Sequence, residues 1–389
     1  MSGRTTMELA SAASTMPRSG IREIMDLAWA MPDAIHLEVG EPNFPTPPHV
    51  VEAAARAAAA GHTRYTPNAG MPELRQALAE KVASRNGLVV APEQVIVTSG
   101  AVEALYSTLL SLLDPGDQIL LPDPGWPNFR MMAGLLRAEV VGYPLAPRSG
   151  YQPEIADLER LVGPRSKVLL LNTPSNPVGA VLDADHVQAL LDFARAHGLW
   201  VVSDECYDEI VYDGALTSPG ALDTDGRVIS VYSFSKTYAM TGWRVGYAVV
   251  PEALAETLSK VQEPLISCVN APAQVAAHVA VTGPQDVVAE MRDAYRSRRD
   301  AVVARLREAG VPAFPPGGAF YLWVDVSASG LSSRNFAHEL VVRHHVAVVP
   351  GTAFGARGEG AVRLSLTTSQ DLLLEGVERL TLLYAEHVS

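Results

Sequence analysis

A lysine lies where covalent chemistry with a bound group could occur. Lys236 follows the apolar, β-branched segment 227–232, which predicts a buried strand. Its amine is therefore expected at the carboxyl end of a strand, the edge at which open α/β sheets bind ligands. Thr237, Thr241 and Arg244 follow closely, and hydroxyls with a fixed cation beside a lysine suit a phosphorylated cofactor bound through the amine. The alternative interpretation is that Lys236 and Arg244 are solvated loop charges.

Two more charged residues lie in segments that predict strands. Asp204 ends LWVVSD, and a carboxylate just past a buried strand is costly unless it is paired; a helix N-cap is the common alternative. Arg363 lies in the alternating segment AVRLSLT, where an inward-facing arginine needs an anion. Its guanidinium offers two parallel N–H donors to a carboxylate, whereas an arginine on an edge strand would face solvent.

Three turn-forming segments each follow a predicted strand. Ser99 and Gly100 precede a predicted helix, whose free N–H groups bind anions, and glycine lets the backbone approach closely. The segment NTPSNPVG (172–179) contains prolines and a glycine that make a rigid turn. Trp126 lies in LPDPGWPNF, where a core tryptophan is the alternative to a ligand contact. Each of these signals is weak alone, because most such turns bind nothing.

Together, these segments closely resemble the class I aminotransferases, which are fold type I enzymes that use pyridoxal 5'-phosphate (PLP). The family's lysine pattern, S-x-[SA]-K followed by R-x-G, occurs here as Ser233, Ser235, Lys236, Arg244 and Gly246. A second family pattern, N-x-P-x-N-P-x-G, matches residues 172–179. The resemblance covers nearly the whole chain, from about residue 19 to the C-terminus.

The resemblance implies a PLP site built around Lys236, which would hold the cofactor as an internal aldimine. Asp204 would pair with the pyridine nitrogen, and the hydroxyl of Tyr207 would meet the 3′ oxygen. Asn176 would contact both this oxygen and the substrate carboxylate. The remaining residues implied to bind the cofactor or its phosphate are Ser99, Gly100, Ala101, Trp126, Ser233, Ser235 and Arg244, and no metal is expected.

Contacts with the substrate and with a second subunit also follow from the resemblance. Arg363 matches the arginine that binds the substrate α-carboxylate, and Gly40 matches a backbone contact to the same group. Arg22 could supply a further cation if its predicted helix caps the pocket. Tyr65 matches a tyrosine that reaches the cofactor phosphate from the neighbouring subunit, which implies a homodimer with shared active sites.

The implied activity is transamination of an L-amino acid with a 2-oxo acid, either 2-oxoglutarate or pyruvate, by a ping-pong mechanism. Aspartate-preferring relatives carry a lysine early in the phosphate-loop helix, and residues 101–103 (Ala-Val-Glu) contain none. A C–S lyase or a cyclopropane-forming synthase on the same fold is an open alternative. A PLP-sensing regulatory domain without catalysis is more remote, because fewer than about 50 residues precede the large domain, too few for a DNA-binding domain as well.

Alternating strands and helices must position these residues. Strands are predicted at 94–98, 118–121, 139–143, 167–172, 199–203, 228–232 and 246–250. Helices are predicted at 21–30, 50–60, from about 71, and at 101–113, 128–136, 184–197, 251–261, 285–308, 333–344 and from 370. This βαβ pattern predicts an α/β fold of the PLP-dependent type I, with a mostly parallel central sheet. Residues 46–284 are predicted to form the large PLP-binding domain. Residues 1–45, including a loose arm at 1–18, are predicted to join 285–389 in a smaller α+β domain.

The composition narrows the class of protein. The chain has 389 residues, 48% hydrophobic and 19% charged, as expected of a globular protein. A net charge of −13 and the lack of a basic run argue against a nucleic-acid partner. Cys206 and Cys268 cannot form a disulfide framework and fit a reduced compartment. With neither a signal peptide nor a membrane span in view, a cytoplasmic enzyme acting on small molecules is expected.

Overall fold

The computed structural model of the chain describes residues 7, 9–17 and 20–388. Its α-helices are α1 (Ser11–Ser14), α2 (Gly20–Trp29), α3 (Pro48–Ala59), α4 (Pro72–Lys81), α5 (Ala101–Leu112), α6 (Pro127–Leu135), α7 (Ile155–Leu161), α8 (Ala184–Ala196), α9 (Phe234–Thr237), α10 (Glu252–Ile266), α11 (Ala271–Thr282), α12 (Asp286–Glu308), α13 (Ser333–His344) and α14 (Gln370–Val388). Its strands are β1 (Ile35–His36), β2 (Val95–Thr98), β3 (Gln118–Asp123), β4 (Glu139–Pro144), β5 (Ser166–Asn172), β6 (Trp200–Asp204), β7 (Val228–Ser233), β8 (Gly246–Val249), β9 (Ala313–Phe314), β10 (Tyr321–Asp325), β11 (Val346–Ala347), β12 (Val349–Pro350) and β13 (Ala361–Ser365). The arm predicted at 1–18 lies only partly within the described residues and contains α1 there.

The central sheet has seven strands in the order β2-β8-β7-β6-β5-β3-β4. Strand β8 runs antiparallel to both neighbours, and the other pairs are parallel. The mostly parallel sheet predicted from the alternating pattern is therefore confirmed. Alternate residues of β5 enter two different apolar cores, Leu170 on one face and Leu169 with Leu171 on the other. Both faces are thus covered, which explains why these strands are continuous apolar runs in the sequence.

The parallel strands bring their carboxyl ends to one edge of the sheet. Asn172 ends β5 and Asp204 ends β6, and the two residues pair in register. Ser233 ends β7, and α9, which carries Lys236, follows at once. The candidate chemistry of the sequence therefore collects at this edge because each residue directly follows a buried strand.

A second sheet, built from the C-terminal part of the chain, supplies the remaining candidate. Its antiparallel order is β12-β13-β10-β9, and β1 pairs separately with β11. Arg363 lies in the fully buried strand β13, between β10 and β12. One apolar core joins residues of α2, α12, α13 and α14 to this region. The division into two domains at residues 45 and 285 stays a prediction.

Four helices were not predicted from the sequence, and two of them, α1 and α9, have only four residues each. Helix α11 reads APAQVAAHVAVT and buries residues around most of its circumference, so its sequence lacks an amphipathic period. Helix α7 has only seven residues, too short to show a clear period. Within the described part of the chain, no helix combines the length and apolar character needed to cross a bilayer.

Candidate active site

A cavity of about 360 Å³ opens at the carboxyl edge of the central sheet. Its walls include most of the residues proposed from the sequence. The predicted residues that line it are Gly40, Ala101, Trp126, Asn176, Asp204, Tyr207, Ser233, Ser235, Lys236, Arg244 and Arg363. The predicted residues outside the lining are Arg22, Tyr65, Ser99 and Gly100. Segments far apart in the sequence thus meet in one concave site.

The amine of Lys236 is held in a defined place. The Ser233 hydroxyl accepts a hydrogen bond from the Ser235 N–H at 3.1 Å and so caps α9. The Lys236 Nζ donates to the carbonyl of Gly40 at 2.6 Å. Burial, helped by the positive charges of Arg244 and Arg363, lowers the pKa of Lys236 to about 8. A larger fraction of this amine is therefore neutral, and hence nucleophilic, than of a solvated lysine.

Asp204 is a buried carboxylate with few partners. Its Oδ1 accepts a hydrogen bond from the Cys206 N–H at 3.2 Å. Burial raises its pKa to about 6, since the charged form is poorly solvated there. Asn172 steadies the backbone by donating from Nδ2 to the Asp204 carbonyl at 3.1 Å. The carboxylate can accept a charge-assisted hydrogen bond from a protonated ring nitrogen, and it gains stability by doing so.

The phosphate end of the site depends on two close backbone approaches. A Cβ on Gly100, whose φ is +79°, would lie 2.3 Å from Nη2 of Arg244. A Cβ on Gly246 would lie 2.6 Å from the N of Ala101. Only glycine fits either position, which explains the glycine of the R-x-G pattern. Arg244 donates from Nη1 to the Thr241 carbonyl at 2.7 Å, so its guanidinium is fixed beside the first turn of α5.

The first turn of α5 departs from the sequence expectation. The Ser99 N–H donates to Oε2 of Glu103 at 2.7 Å, and the Gly100 N–H donates to the Thr98 carbonyl at 2.9 Å. Neither N–H is therefore free for an anion. The N–H of Ala101, which lines the cavity, has no acceptor among the described residues. The Ser99 N–H, which was predicted to face an anion, instead donates to the carboxylate of Glu103.

Arg363 lines the same cavity and is held in a defined orientation. Its guanidinium donates from Nη1 to Oδ1 of Asn176 at 3.0 Å and from Nη2 to the carbonyl of Glu38 at 2.7 Å. Its Nε is buried and has no partner among the described residues. Burial lowers the pKa of Arg363, because a buried cation without a bound carboxylate is poorly solvated. An anion in the cavity would relieve this cost.

The outer helix of the site corrects one prediction. Helix α2 does cover the cavity, but through Ile21 and Met25, which are one turn apart on the same face. Arg22 lies on another face and is exposed, so it does not place a cation in the cavity. Trp126 lines the cavity and meets Phe129 edge to face at 5.3 Å between ring centroids.

Tyr65 projects away from the rest of its own chain. It lies in the polar loop between α3 and α4 and is 90% exposed. It takes no part in the cavity formed by its own chain. Such a large, exposed aromatic side chain is available to another protein surface.

Several residues of the cavity were missed by sequence reasoning, among them Tyr321, Glu38 and Cys206. Cys206 lies between two residues that were predicted, so its position alone could have indicated it. Tyr321 and Glu38 carry no local signal, because they reach the site only through the packing of distant strands.

The residues present fit PLP. The buried Asp204 carboxylate has no salt bridge to a residue that the structure describes, and it suits the pyridine nitrogen. The unpartnered Ala101 N–H and the fixed Arg244 suit a phosphate. The Lys236 amine, with its lowered pKa, suits the cofactor's aldehyde, and the buried guanidinium of Arg363 suits the carboxylate of an amino acid.

Comparison with known proteins agrees with this geometry. The family model described as aminotransferase class I and II matches residues 32–380. An aspartate aminotransferase of Pyrococcus horikoshii is 37% identical over 375 residues, which cover 96% of each chain. An arginine–pyruvate transaminase of Pseudomonas aeruginosa is 38% identical over 352 residues, or 90% of each chain. The solved structure of an aspartate aminotransferase from Thermus thermophilus with maleate superposes with a TM-score of 0.93 at 37% identity, covering 97% of this chain and all of that one. The chain therefore belongs to the class I and II aminotransferases, fold type I enzymes that transfer amino groups with PLP.

Proposed function

We propose that the cavity carries out both half-reactions of a ping-pong transamination. An L-amino acid gives up its amino group and leaves as a 2-oxo acid, after which a second 2-oxo acid accepts the group in the same cavity. When bound, PLP withdraws electrons from the substrate Cα and stores the amino group between the two halves. The residues of the chain bind and orient the substrate and move its proton.

Lys236 is proposed to do the proton chemistry. Its amine would hold the cofactor in the resting enzyme and would be available as a base once the substrate is bound. The pKa of about 8 leaves an appreciable neutral fraction near neutral pH, so the freed amine can remove the proton from the substrate Cα. The hydrogen bond to the Gly40 carbonyl gives the amine a fixed starting position.

Two cations are proposed to bind the two anions of the reaction. Arg363, with Asn176 beside it and Gly40 nearby, would bind the α-carboxylate of every substrate. Arg244, with the Ala101 N–H and the Ser233 hydroxyl, would bind the cofactor phosphate. Asp204 and Tyr207 would contact the ring nitrogen and the 3′ oxygen.

The rest of the cavity indicates the substrate class. The walls beyond the cofactor and carboxylate ends include the apolar side chains of Ile21, Met25, Val39 and Val102. Among the described residues, the lysine and arginine side chains of the cavity are Lys236, Arg244 and Arg363, and each already has a role. We infer that amino acids with an apolar side chain are better donors than dicarboxylic ones, and that pyruvate is a better acceptor than 2-oxoglutarate.

A homodimer with shared sites is also part of the proposal. The exposed ring of Tyr65 supports it, because an aromatic residue on a polar loop is well suited to reach the phosphate site of a neighbouring subunit. A cytoplasmic location stays a prediction, supported by the free cysteines Cys206 and Cys268.

The observation that carries the proposal is that Lys236, Arg363 and the buried carboxylate of Asp204 all line one cavity. The test is a panel of L-amino acids with pyruvate or 2-oxoglutarate, in which the oxo acid products, the amino acid products and ammonia are all measured. Equal yields of new oxo acid and new amino acid, with parallel double-reciprocal plots, are expected. Ammonia released in step with the oxo acid would point to an elimination enzyme instead, and intersecting plots would contradict the ping-pong order.

A further inference from the structure

We propose that Tyr321 is a positioning residue that links the two ends of the site: its hydroxyl orients the hydroxyl of Tyr207, and its ring supports Arg363. The inference rests on the proposed role of Tyr207 at the cofactor oxygen. Tyr321 begins β10, the strand that pairs with β13, and its register partner Ser365 lies two residues from Arg363. The side chain is 2% exposed and lines the cavity.

The hydroxyls of Tyr207 and Tyr321 lie 3.0 Å apart, within hydrogen-bond distance. Each hydroxyl has one proton, so only one of the two can be the donor in this pair. Burial raises the pKa of both tyrosines, which keeps both hydroxyls protonated at neutral pH. If the Tyr207 hydroxyl donates its hydrogen bond to an acceptor in the cavity, the Tyr321 hydroxyl must be the donor to Tyr207.

Gly40 shows how closely Tyr321 is fitted. A Cβ at residue 40 would lie 2.1 Å from the Tyr321 hydroxyl oxygen. That distance is far inside van der Waals contact, so any side chain at residue 40 would displace the hydroxyl. The glycine therefore makes room for Tyr321 as well as for the backbone contact proposed for the substrate. Among the described residues, the hydroxyl of Tyr321 has no hydrogen-bond partner besides Tyr207.

The ring of Tyr321 faces the guanidinium of Arg363. The Cζ of Arg363 lies 4.2 Å from the ring centroid, inside the range of a cation–π contact. Arg363 makes no salt bridge with a described residue. The cation is held instead by the rings of Tyr321 and Phe354, the latter with its centroid 4.9 Å from Cζ, and by two acceptors, Asn176 Oδ1 and Glu38 O. One buried side chain thus touches both the cofactor-oxygen tyrosine and the carboxylate-binding arginine.

The two functions of Tyr321 can be separated by substitution. Tyr321→Phe keeps the ring and loses the donor, whereas Tyr321→Leu loses both. Tyr207→Phe is the matched control for the hydroxyl pair, and a Tyr207→Phe/Tyr321→Phe double variant closes the cycle. All four are prepared as holoenzyme, and cofactor content confirms that each has a folded site.

The first readout is the pH midpoint of the visible absorbance change of the lysine-bound cofactor, measured without substrate. A donor to the 3′ oxygen stabilises the form that has lost its imine proton, so Tyr207→Phe is expected to move the midpoint to higher pH. Hydrogen bonds in a chain strengthen one another by about 10–30%. Tyr321→Phe should therefore move the midpoint in the same direction by about 10–30% of that shift, and the double variant should match Tyr207→Phe alone.

The second readout is the dissociation constant of 4-methylpentanoate, a carboxylate without an amino group, from its competitive inhibition of the best donor. Tyr321→Leu should weaken this inhibitor about 5- to 30-fold, the equivalent of about 1–2 kcal/mol for a desolvated cation–π contact. Tyr321→Phe should leave it nearly unchanged.

The outcomes separate the inference from the proposed function. If Tyr207→Phe leaves the midpoint unchanged, the role proposed for Tyr207 is wrong and the link through Tyr321 fails with it. If Tyr207→Phe shifts the midpoint but Tyr321→Phe does not, or if the two shifts add in the double variant, only the hydroxyl role of Tyr321 is overturned. If the Tyr321→Leu enzyme binds 4-methylpentanoate as tightly as the unsubstituted enzyme does, the proposal that the Tyr321 ring supports Arg363 is overturned.

Discussion

The guanidinium of Arg363 donates to Oδ1 of Asn176 at 3.0 Å, although the two residues are 187 positions apart in the chain. Asn176 is itself fixed, because its N–H donates to Oδ1 of Asn172 at 2.7 Å. The carbonyl of Glu38 accepts a second hydrogen bond from Arg363 at 2.7 Å. The cation is therefore oriented before any substrate arrives.

Arg363→Lys is predicted to impair substrate binding while leaving cofactor binding intact. The charge remains, but the fork that binds a carboxylate through two parallel bonds is lost. Losing one charge-assisted hydrogen bond costs about 1.5–3 kcal/mol, or roughly one to two decades in kcat/KM. Steady-state kinetics with several amino donors should show this loss for each, together with a normal visible spectrum.

The matched control for this prediction is Arg244→Lys. The guanidinium of Arg244 lies beside the first turn of α5, where the cofactor phosphate is proposed to bind. This variant should therefore lose its cofactor more readily on dialysis. An Arg363→Lys enzyme that kept full activity toward amino acids, or that released its cofactor, would contradict the roles assigned to the two arginines.

Asp204→Asn is predicted to stabilise the apoprotein at alkaline pH. The carboxylate ionises near pH 3.8 in the unfolded chain but only near pH 6 when buried. As the pH rises, the unfolded state thus loses this proton first, so ionisation of Asp204 favours unfolding. The resulting loss in the free energy of unfolding grows between these two pH values and stays constant above them. At about 1.4 kcal/mol per pH unit, the variant should gain up to about 3 kcal/mol at pH 8 and nothing below about pH 4.

Urea unfolding of the apoprotein across this pH range measures the effect of Asp204→Asn. Asp26→Asn, at an exposed position of α2, is the control and should show no such pH-dependent gain. A loss of stability at pH 8 in the Asp204 variant would show that the carboxylate has a cationic partner in the apoprotein.

Mixing two inactive or weakened variants tests whether Tyr65 serves the neighbouring subunit. A hybrid of a Lys236→Ala chain and a Tyr65→Phe chain should contain one site with both changes and one with neither. Half of the chains in an equal mixture are Tyr65→Phe chains, so without shared sites the mixture would have half the activity of the pure Tyr65→Phe enzyme at the same total chain concentration. With shared sites, the mixture is expected to exceed that value. If exchange is demonstrated by mass and the mixture shows only half, Tyr65 does not serve the site of the neighbouring subunit.

Val102→Lys is predicted to improve activity with aspartate. Val102 lines the cavity in the first turn of α5, where the described residues leave no cation for a second carboxylate. A partly exposed ion pair contributes up to about 1 kcal/mol, so kcat/KM for aspartate should rise about fivefold relative to that for leucine. Val102→Met controls for the added length, and an equal rise in that variant would count against the charge.

Much of the site could be predicted because its residues directly follow buried strands. Asp204 and Lys236 come just after apolar, β-branched runs, and such runs are the clearest local signal of a parallel sheet. The carboxyl ends of parallel strands share one edge of the sheet, so the order of strands and helices was enough to predict that Asp204 and Lys236 lie near each other. The mostly parallel sheet was predicted for the same reason.

What the sequence could not provide depends on contacts between distant segments. Arg22 and Ile21 are neighbours in one helix, and only the packing of α2 decides which of them faces the cavity. The Ser99 N–H was assigned to an anion, but the carboxylate of Glu103, one helical turn later, takes it. Tyr321 reaches Tyr207 across 114 residues, and no local pattern predicts such a pair.

The central claim is that Lys236 is the residue that attaches the cofactor. The most direct measurement is borohydride reduction of the holoenzyme followed by peptide mapping. The other lysines are Lys81, Lys167 and Lys260; of these, only Lys81 is shielded from solvent, and it is engaged by Asp208. The label is predicted on Lys236 alone, at one equivalent per chain, and is predicted to be absent from Lys236→Ala. A label on any other lysine of the native enzyme would contradict the account.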